Sequence, residues 1–202
     1  MKRKEILRMI FANPFKKIAG WQALGLGLIF VVLAAFVGNF NGAYFNGVLD
    51  VHFSETPYPL WITFAMLAID LASIITMFLI VGIIFSKNFR VIDVIGTNFL
   101  AKSTVLLLVL TSFIPIPDAI SNALKDPKLL MENPYILFSS FAHILTLVLS
   151  ILIIVWYIAL LYNAFNVSLN IKKNLRTVVF IFALISAEVL SQILIHLIPF
   201  GM

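Results

Sequence analysis

The stretch ILFSSFAHILTLVLSILIIVWYIALLY, residues 136–162, decides the fold class of this chain. It belongs to the longest uncharged run in the sequence, between Glu132 and Lys172. About 20 consecutive apolar residues are enough for a helix to cross a hydrocarbon core of about 30 Å, so the stretch predicts a transmembrane helix. The whole chain agrees, because 62% of its 202 residues are hydrophobic and only 11% are charged. This composition excludes an ordinary cytosolic enzyme.

Four other segments are also long and apolar enough to cross a membrane. Three of them are interrupted by a single ionisable residue: Asp70, Lys102 and Glu188. Long continuous apolar runs favour helices over the short alternating strands of a membrane barrel. We therefore predict an all-α integral membrane bundle of five transmembrane helices, at about residues 18–38, 60–86, 94–115, 136–162 and 177–200. Residues 1–17 form a separate basic segment, and residues 18–202 form one transmembrane domain.

Basic residues are distributed unevenly over the loops between the predicted spans. Lysine and arginine in short loops stay on the cytoplasmic side of a membrane. Eleven of them lie on one side of the predicted spans and two on the other. The N-terminus is therefore predicted to be cytoplasmic and the C-terminus outside, in a multi-pass protein of the cell membrane.

The cytoplasmic basic residues are candidates for contact with lipid headgroups. Those closest to the predicted spans are Lys16, Lys17, Lys87, Arg90, Lys172, Lys173 and Arg176. Met1–Phe15 is predicted to be an amphipathic helix on the membrane surface, ended by Asn13-Pro14. It is either a contact for a partner or a basic flank that only sets topology. Because the basic residues are dispersed over three segments, they favour membrane lipids over nucleic acid as a partner.

The three ionisable residues within the spans are the main functional candidates, because a charge at membrane depth is costly unless it is paired or hydrated. A helical rise of about 1.5 Å per residue places Asp70 and Lys102 within about 7 Å of each other along the membrane normal. They are predicted to pair directly or through water. Polar residues at helical spacing extend the predicted intramembrane network. These are Asn98, His143, Ser191 and Gln192.

Two interpretations of this network remain open. In one, Asp70 and Glu188 are exchangeable carboxylates and Lys102 is a fixed cation of a proton, ion or small-solute path. In the other, which we favour, the network specifies how the helices pack. A transporter would usually have broken helices and a repeated half, whereas no span has a central proline and five spans do not divide evenly.

Signals for catalysis or metal binding are weak. The sequence has no cysteine, and its three histidines lack ligand spacing within one helix. Hydrolase, metalloprotease and phosphate-loop motifs are missing from it. We therefore expect no enzyme activity, no cofactor and no metal.

Small residues recur along one face of the first predicted span, where they allow another helix to approach closely. They are Ala23, Gly27, Ala34 and Gly38. The approaching helix belongs either to this chain, which we favour, or to a second copy.

The order of parts resembles the Yip1 domain family. Asn13-Pro14-Phe15 lies just before the first of five spans, and Asp93-Val94-Ile95-Gly96-Thr97 resembles the motif that opens the third span of bacterial members. Asn133-Pro134-Tyr135 is similar to the turn before the fourth span. The segment from Leu161 to Ser168 is similar to the connection between the fourth and fifth spans.

This resemblance implies a non-enzymatic membrane protein of the bacterial inner membrane. Eukaryotic members act in vesicle traffic and bind prenylated small GTPases, but the long cytosolic region of those members and its Asp-Leu-Tyr-Gly-Pro motif are missing here. The expected function is to organise or assist other membrane components in export, trafficking or the envelope, through contacts with lipids, other membrane proteins or a second copy. The alternative is a small transporter or channel that uses Asp70, Lys102 and Glu188.

Overall fold

A computed structural model of the protein describes residues 13–54, 58–86, 88–115 and 117–197, without the side chains of Ser121, Lys125, Pro127 and Leu130. The predicted amphipathic helix lies mostly outside these ranges, and so does Lys87. In chain order the elements are α1 (Gly20–Phe40), β1 (Ala43–Phe45), β2 (Val51–Phe53), α2 (Leu60–Phe85), α3 (Val91–Lys102), α4 (Val105–Leu110), α5 (Asp118–Lys125), α6 (Pro127–Glu132), α7 (Phe141–Leu169) and α8 (Lys173–Leu197).

Within the described ranges, five helices are long and apolar enough to cross a membrane, which confirms the predicted number of spans. They are α1, α2, the third span Val91–Phe113, α7 and α8. The third span consists of α3, α4 and the 3-10 turn Thr111–Phe113. It is the most buried of the five and therefore forms the centre of the bundle.

The fourth span begins and ends later than its apolar run suggests. A 3-10 turn occupies Pro134–Phe138, and Ser140 is extended immediately before α7 begins. The hydroxyl of Ser139 donates a hydrogen bond to the Ile136 carbonyl at 2.6 Å, a local bond that competes with helix formation. At the other end α7 continues to Leu169 and stops at Asn170, whose φ of 47° is left-handed.

The connection between α1 and α2 is a short β-hairpin, which the predicted all-α bundle did not include, although the described part of the chain is predominantly helical. Strands β1 and β2 are antiparallel, with Ala43 opposite Phe53 and Phe45 opposite Val51. Phe45 and Val48 are fully buried, so the hairpin packs into the bundle instead of lying over it.

Glycines allow α1 and α3 to pack backbone against backbone. A Cβ atom at Gly27 would collide with the backbone of Phe99 and Leu100, and one at Gly96 would collide with the Gly20 carbonyl. The small residues of α1 are buried, so the predicted stripe is used within this chain.

The remaining helices pack around this pair. Helix α2 lies against α8, and α3 also lies against α7. Aromatic edges join α2, α7 and α8, with ring centroids of Phe78 4.9 Å from Phe165 and 6.2 Å from Phe180. We call the end of the bundle at which α1 ends and α2 begins the hairpin end. The opposite end, which carries the exposed side chains of Lys16, Lys17, Arg90, Lys172 and Lys173, is the basic end.

Candidate functional site: a buried charge cluster that holds a hairpin

Lys102 and Asp70 form a direct ion pair in the interior of the bundle. The Nζ atom of Lys102 lies 2.8 Å from Oδ2 of Asp70. Both side chains are excluded from the surface, with exposed fractions of 1% and 0%. Removing two charges from water is unfavourable, and their attraction offsets this cost only when the geometry is good and the remaining polar atoms are also bonded.

Other groups fill most of the remaining hydrogen-bonding capacity of Asp70 and Lys102. Ser191 on α8 donates a hydrogen bond to Oδ1 of Asp70 at 2.5 Å. Lys102 Nζ donates a second hydrogen bond to the Val48 carbonyl of the hairpin at 3.0 Å. It also lies 5.9 Å from the centre of the Tyr157 ring, at the limit of a favourable cation–π contact. Three other parts of the chain, namely α2, the hairpin and α7, therefore meet at Lys102, and α8 joins them through Asp70.

Glu188 holds the same hairpin from the side of α8. Its Oε2 accepts a hydrogen bond from the Leu49 amide at 2.9 Å, and its Oε1 accepts one from Gln192 at 2.9 Å. A Cβ atom at Gly47 would collide with the Glu188 carboxylate. Glycine at position 47 thus allows the carboxylate to reach the hairpin backbone.

These contacts bring irregular backbone to the middle of the bundle. Lys102 stands at the centre of the third span, so Val48 reaches about the same depth. Non-helical backbone is tolerated at membrane depth where protein surrounds it or where it lines a water-filled cavity. The cluster contributes to the first arrangement, because it supplies an ammonium for one hairpin carbonyl and a carboxylate for one hairpin amide. We call Asp70, Lys102, Glu188 and Ser191 the charge cluster.

The third span is interrupted directly after Lys102, although it has no proline there. Ser103 and Thr104 form a turn with hydrogen bonds three residues apart, as in a 3-10 helix. Their hydroxyls donate to the Leu100 and Ala101 carbonyls at 2.6 and 2.8 Å. The Thr104 amide donates to the Ala101 carbonyl instead of the Leu100 carbonyl, so the Ser103 hydroxyl supplies a donor for Leu100 and helps to stabilise the break.

Two predicted members of the network lie apart from the cluster. Asn98 donates to the Val94 carbonyl of its own helix at 2.8 Å. His143 is buried near the start of α7. Within the described residues, Asn98 Oδ1 and His143 Nδ1 have no hydrogen-bond partner. Ser73 Oγ, one helical turn from Asp70, also has no hydrogen-bond partner within the described residues.

The residues predicted to contact lipid headgroups differ in exposure. The side chains of Lys16, Lys17, Lys172 and Lys173 are exposed, and so is that of Arg90, which lies 3.8 Å from Asp93. Arg176 is half-buried and donates two hydrogen bonds to the Ile171 carbonyl, at 3.2 and 2.9 Å. It therefore supports the connection between α7 and α8.

Sequence reasoning missed Gly47, Val48 and Leu49, the hairpin residues that contact the cluster. A usable signal was the Asn46-Gly47 pair, which is typical of tight hairpin turns. Its position between Ala43–Phe45 and Val51–Phe53, segments rich in aromatic and β-branched residues, strengthens that signal.

Comparisons with known proteins find no match to this chain among protein-family models, curated proteins or solved structures. Within the described ranges, no three histidine, aspartate or glutamate residues are grouped so that they could hold a metal ion.

Proposed function

We propose that this protein is a non-enzymatic, multi-pass membrane protein that organises or assists other membrane components, with its basic end in the cytoplasm. The direct bonding of the charge cluster carries this proposal. A path for ions or solutes needs a hydrated route to the charges, whereas Lys102 is sealed between Asp70, Val48 and Tyr157. The costly charges are used to hold the bundle together.

The resemblance to the Yip1 family adds the expectation of an inner-membrane protein with a role in export, trafficking or the envelope. That assignment stays a prediction from the short motifs around Pro14, Asp93 and Pro134.

The proposal is tested by the assembly state in mild detergent. We expect complexes heavier than the 22.6 kDa chain, formed with a second copy or another membrane protein. Glu188→Gln should change the yield or stability of these complexes, because it weakens an acceptor of the Leu49 amide. A monodisperse monomer under every mild condition would count against the proposal.

A second candidate, a small transporter, is favoured by the break after Lys102 and by hairpin backbone at mid-depth. Discontinuous spans near charged residues are common in transporter binding sites. This hypothesis expects pH- or solute-dependent flux in liposomes that Glu188→Gln abolishes while the fold survives. If protons, common cations and small anions show no flux in the parent protein, it loses its support.

A further inference from the structure

An apolar groove lies on the outer side of the bundle between α1 and α2. Its volume is about 380 Å³, and its walls include Leu28 and Val32 of α1 and Ile75 of α2. Ala68 and Ala72 line it with exposed side chains, and Phe99 of α3 also borders it. The groove exists because α1 packs closely on α3 through Gly27 and leaves α2 at a distance.

The groove is closed at the hairpin end and accessible from the basic end. The rings of Phe36 and Phe64 meet edge to face, with centroids 5.5 Å apart, on the side of the groove nearest the hairpin. Towards the basic end, an added Cβ atom at Gly25 would meet nothing within 4 Å. An occupant can therefore enter from the leaflet at the basic end.

Depth and shape favour a lipid chain over a protein helix. Leu28 lies about 12 Å along α1 from Gly20, which is within reach of a chain from a leaflet about 15 Å deep. A partner helix that spans the membrane would have to continue past the contact between Phe36 and Phe64, which closes the groove at the hairpin end. An acyl chain from the leaflet at the basic end can stop before this contact.

Charge at the basic end indicates the type of headgroup. Arg90 immediately precedes α3, whose Asp93 and Gly96 lie against Gly20 at the start of α1. It therefore lies at the basic end, near the start of α1, which is one of the two helices that form the groove, and its side chain is 75% exposed. An exposed guanidinium suits a lipid phosphate.

We propose that this groove holds one acyl chain of an anionic phospholipid from the leaflet at the basic end, with its phosphate near Arg90. The site is independent of the function proposed above, because it uses none of the residues of the charge cluster.

The first test uses a variant whose larger side chains fill the groove. The variant Ala68→Leu/Ala72→Leu should retain about tenfold less phospholipid after detergent purification, as measured by native mass spectrometry. Ala159→Leu is the matched control, because Ala159 is exposed on α7, outside the groove. Equal retention by the filled variant and the control would overturn the proposal.

The second test uses the parent protein and does not depend on how the variant folds. A phospholipid with a photoactivatable group in mid-chain is bound in membranes and activated after detergent extraction. Labels should concentrate on Leu28, Ala68 and Ala72. Labels spread equally over these residues and the α7 surface around Ala159 would show that the groove holds no lipid chain of this kind.

A third test concerns the headgroup. Arg90→Gln should lower the retention of anionic phospholipid to the level of zwitterionic phospholipid and leave zwitterionic retention unchanged. An equal loss for both lipid classes would contradict the placement of the phosphate near Arg90.

Discussion

Lys102 connects more parts of this protein than the other charged residues that the structure describes. Its ammonium contacts Asp70 of α2, the Val48 carbonyl of the hairpin and the Tyr157 ring of α7. A buried ion pair of this kind adds little net stability compared with apolar residues, but the loss of one partner is severe because it leaves a charge alone in the interior.

At this scale we expect Asp70→Asn to lower the free energy of unfolding by about 3–5 kcal/mol. Lys102→Met in the same chain should recover much of that loss, since it removes the unpaired ammonium. Equilibrium unfolding in mixed detergent micelles measures both effects.

Asp118→Asn is the control for this experiment, because Asp118 is exposed at the hairpin end and its replacement should change stability by less than about 0.5 kcal/mol. If Asp70→Asn and Asp118→Asn have equal effects, the ion pair does not have the structural role described here.

The sequence predicted the contact between Asp70 and Lys102 well but its surroundings poorly. Opposite charges at similar depths on neighbouring spans have few alternatives to pairing. The helical rise per residue was therefore sufficient to predict that Asp70 and Lys102 are in contact. The same spacing grouped Asn98 and His143 with the cluster, yet Asn98 bonds within its own helix. Depth alone does not specify the direction in which a side chain points.

At the scale of elements, the hairpin depends on the helices around it. An isolated hairpin with two strands is at best marginally stable in water, and these strands have three residues each. The hairpin gains the missing stability from its surroundings. Phe45 and Val48 are buried in the core, and two hydrogen bonds join the hairpin to the charge cluster. The amino-acid sequence indicated only a loop in this segment, because the stability of the hairpin comes from residues far away in the chain.

The register of the hairpin can be tested with an engineered disulfide, since the chain has no native cysteine. Tyr44 lies opposite His52. Opposite residues in antiparallel strands have Cα atoms about 4.5–5.5 Å apart, within the range of about 4.4–6.8 Å for a disulfide. Tyr44→Cys/His52→Cys should therefore oxidise almost completely, as measured by non-reducing peptide mass spectrometry.

Tyr44→Cys/Phe53→Cys is the comparison, because neighbouring residues of a strand point to opposite faces. Efficient oxidation of this second pair and not of the first would show that the register differs by one residue.

At the scale of the molecule, apolar faces surround a core in which the buried charged residues, among those that the structure describes, belong to one cluster. Trp21 lies at the basic end of α1 and Trp61 at the hairpin end of α2, and both are largely exposed. Tryptophans at these positions are typical of the two boundaries of a membrane. Hydrophobic content predicted the five spans because each helix must exceed the membrane thickness, a requirement that depends little on neighbouring helices.

The proposed orientation predicts which end reacts from outside the cell. Asp118→Cys at the hairpin end should react with a membrane-impermeant maleimide in intact cells. Lys173→Cys at the basic end should react only after the cells are made permeable. The opposite pattern would reverse the orientation derived from the basic residues.

The order of synthesis has a consequence for the hairpin. Val48 precedes Lys102 by 54 residues, and Leu49 precedes Glu188 by 139 residues. At about 5–20 residues per second, roughly 7–28 s pass between the synthesis of Leu49 and that of Glu188. The Leu49 amide therefore cannot bond to the Glu188 carboxylate until α8 has been made, so the last helix supplies the last of the two hydrogen bonds between the charge cluster and the hairpin.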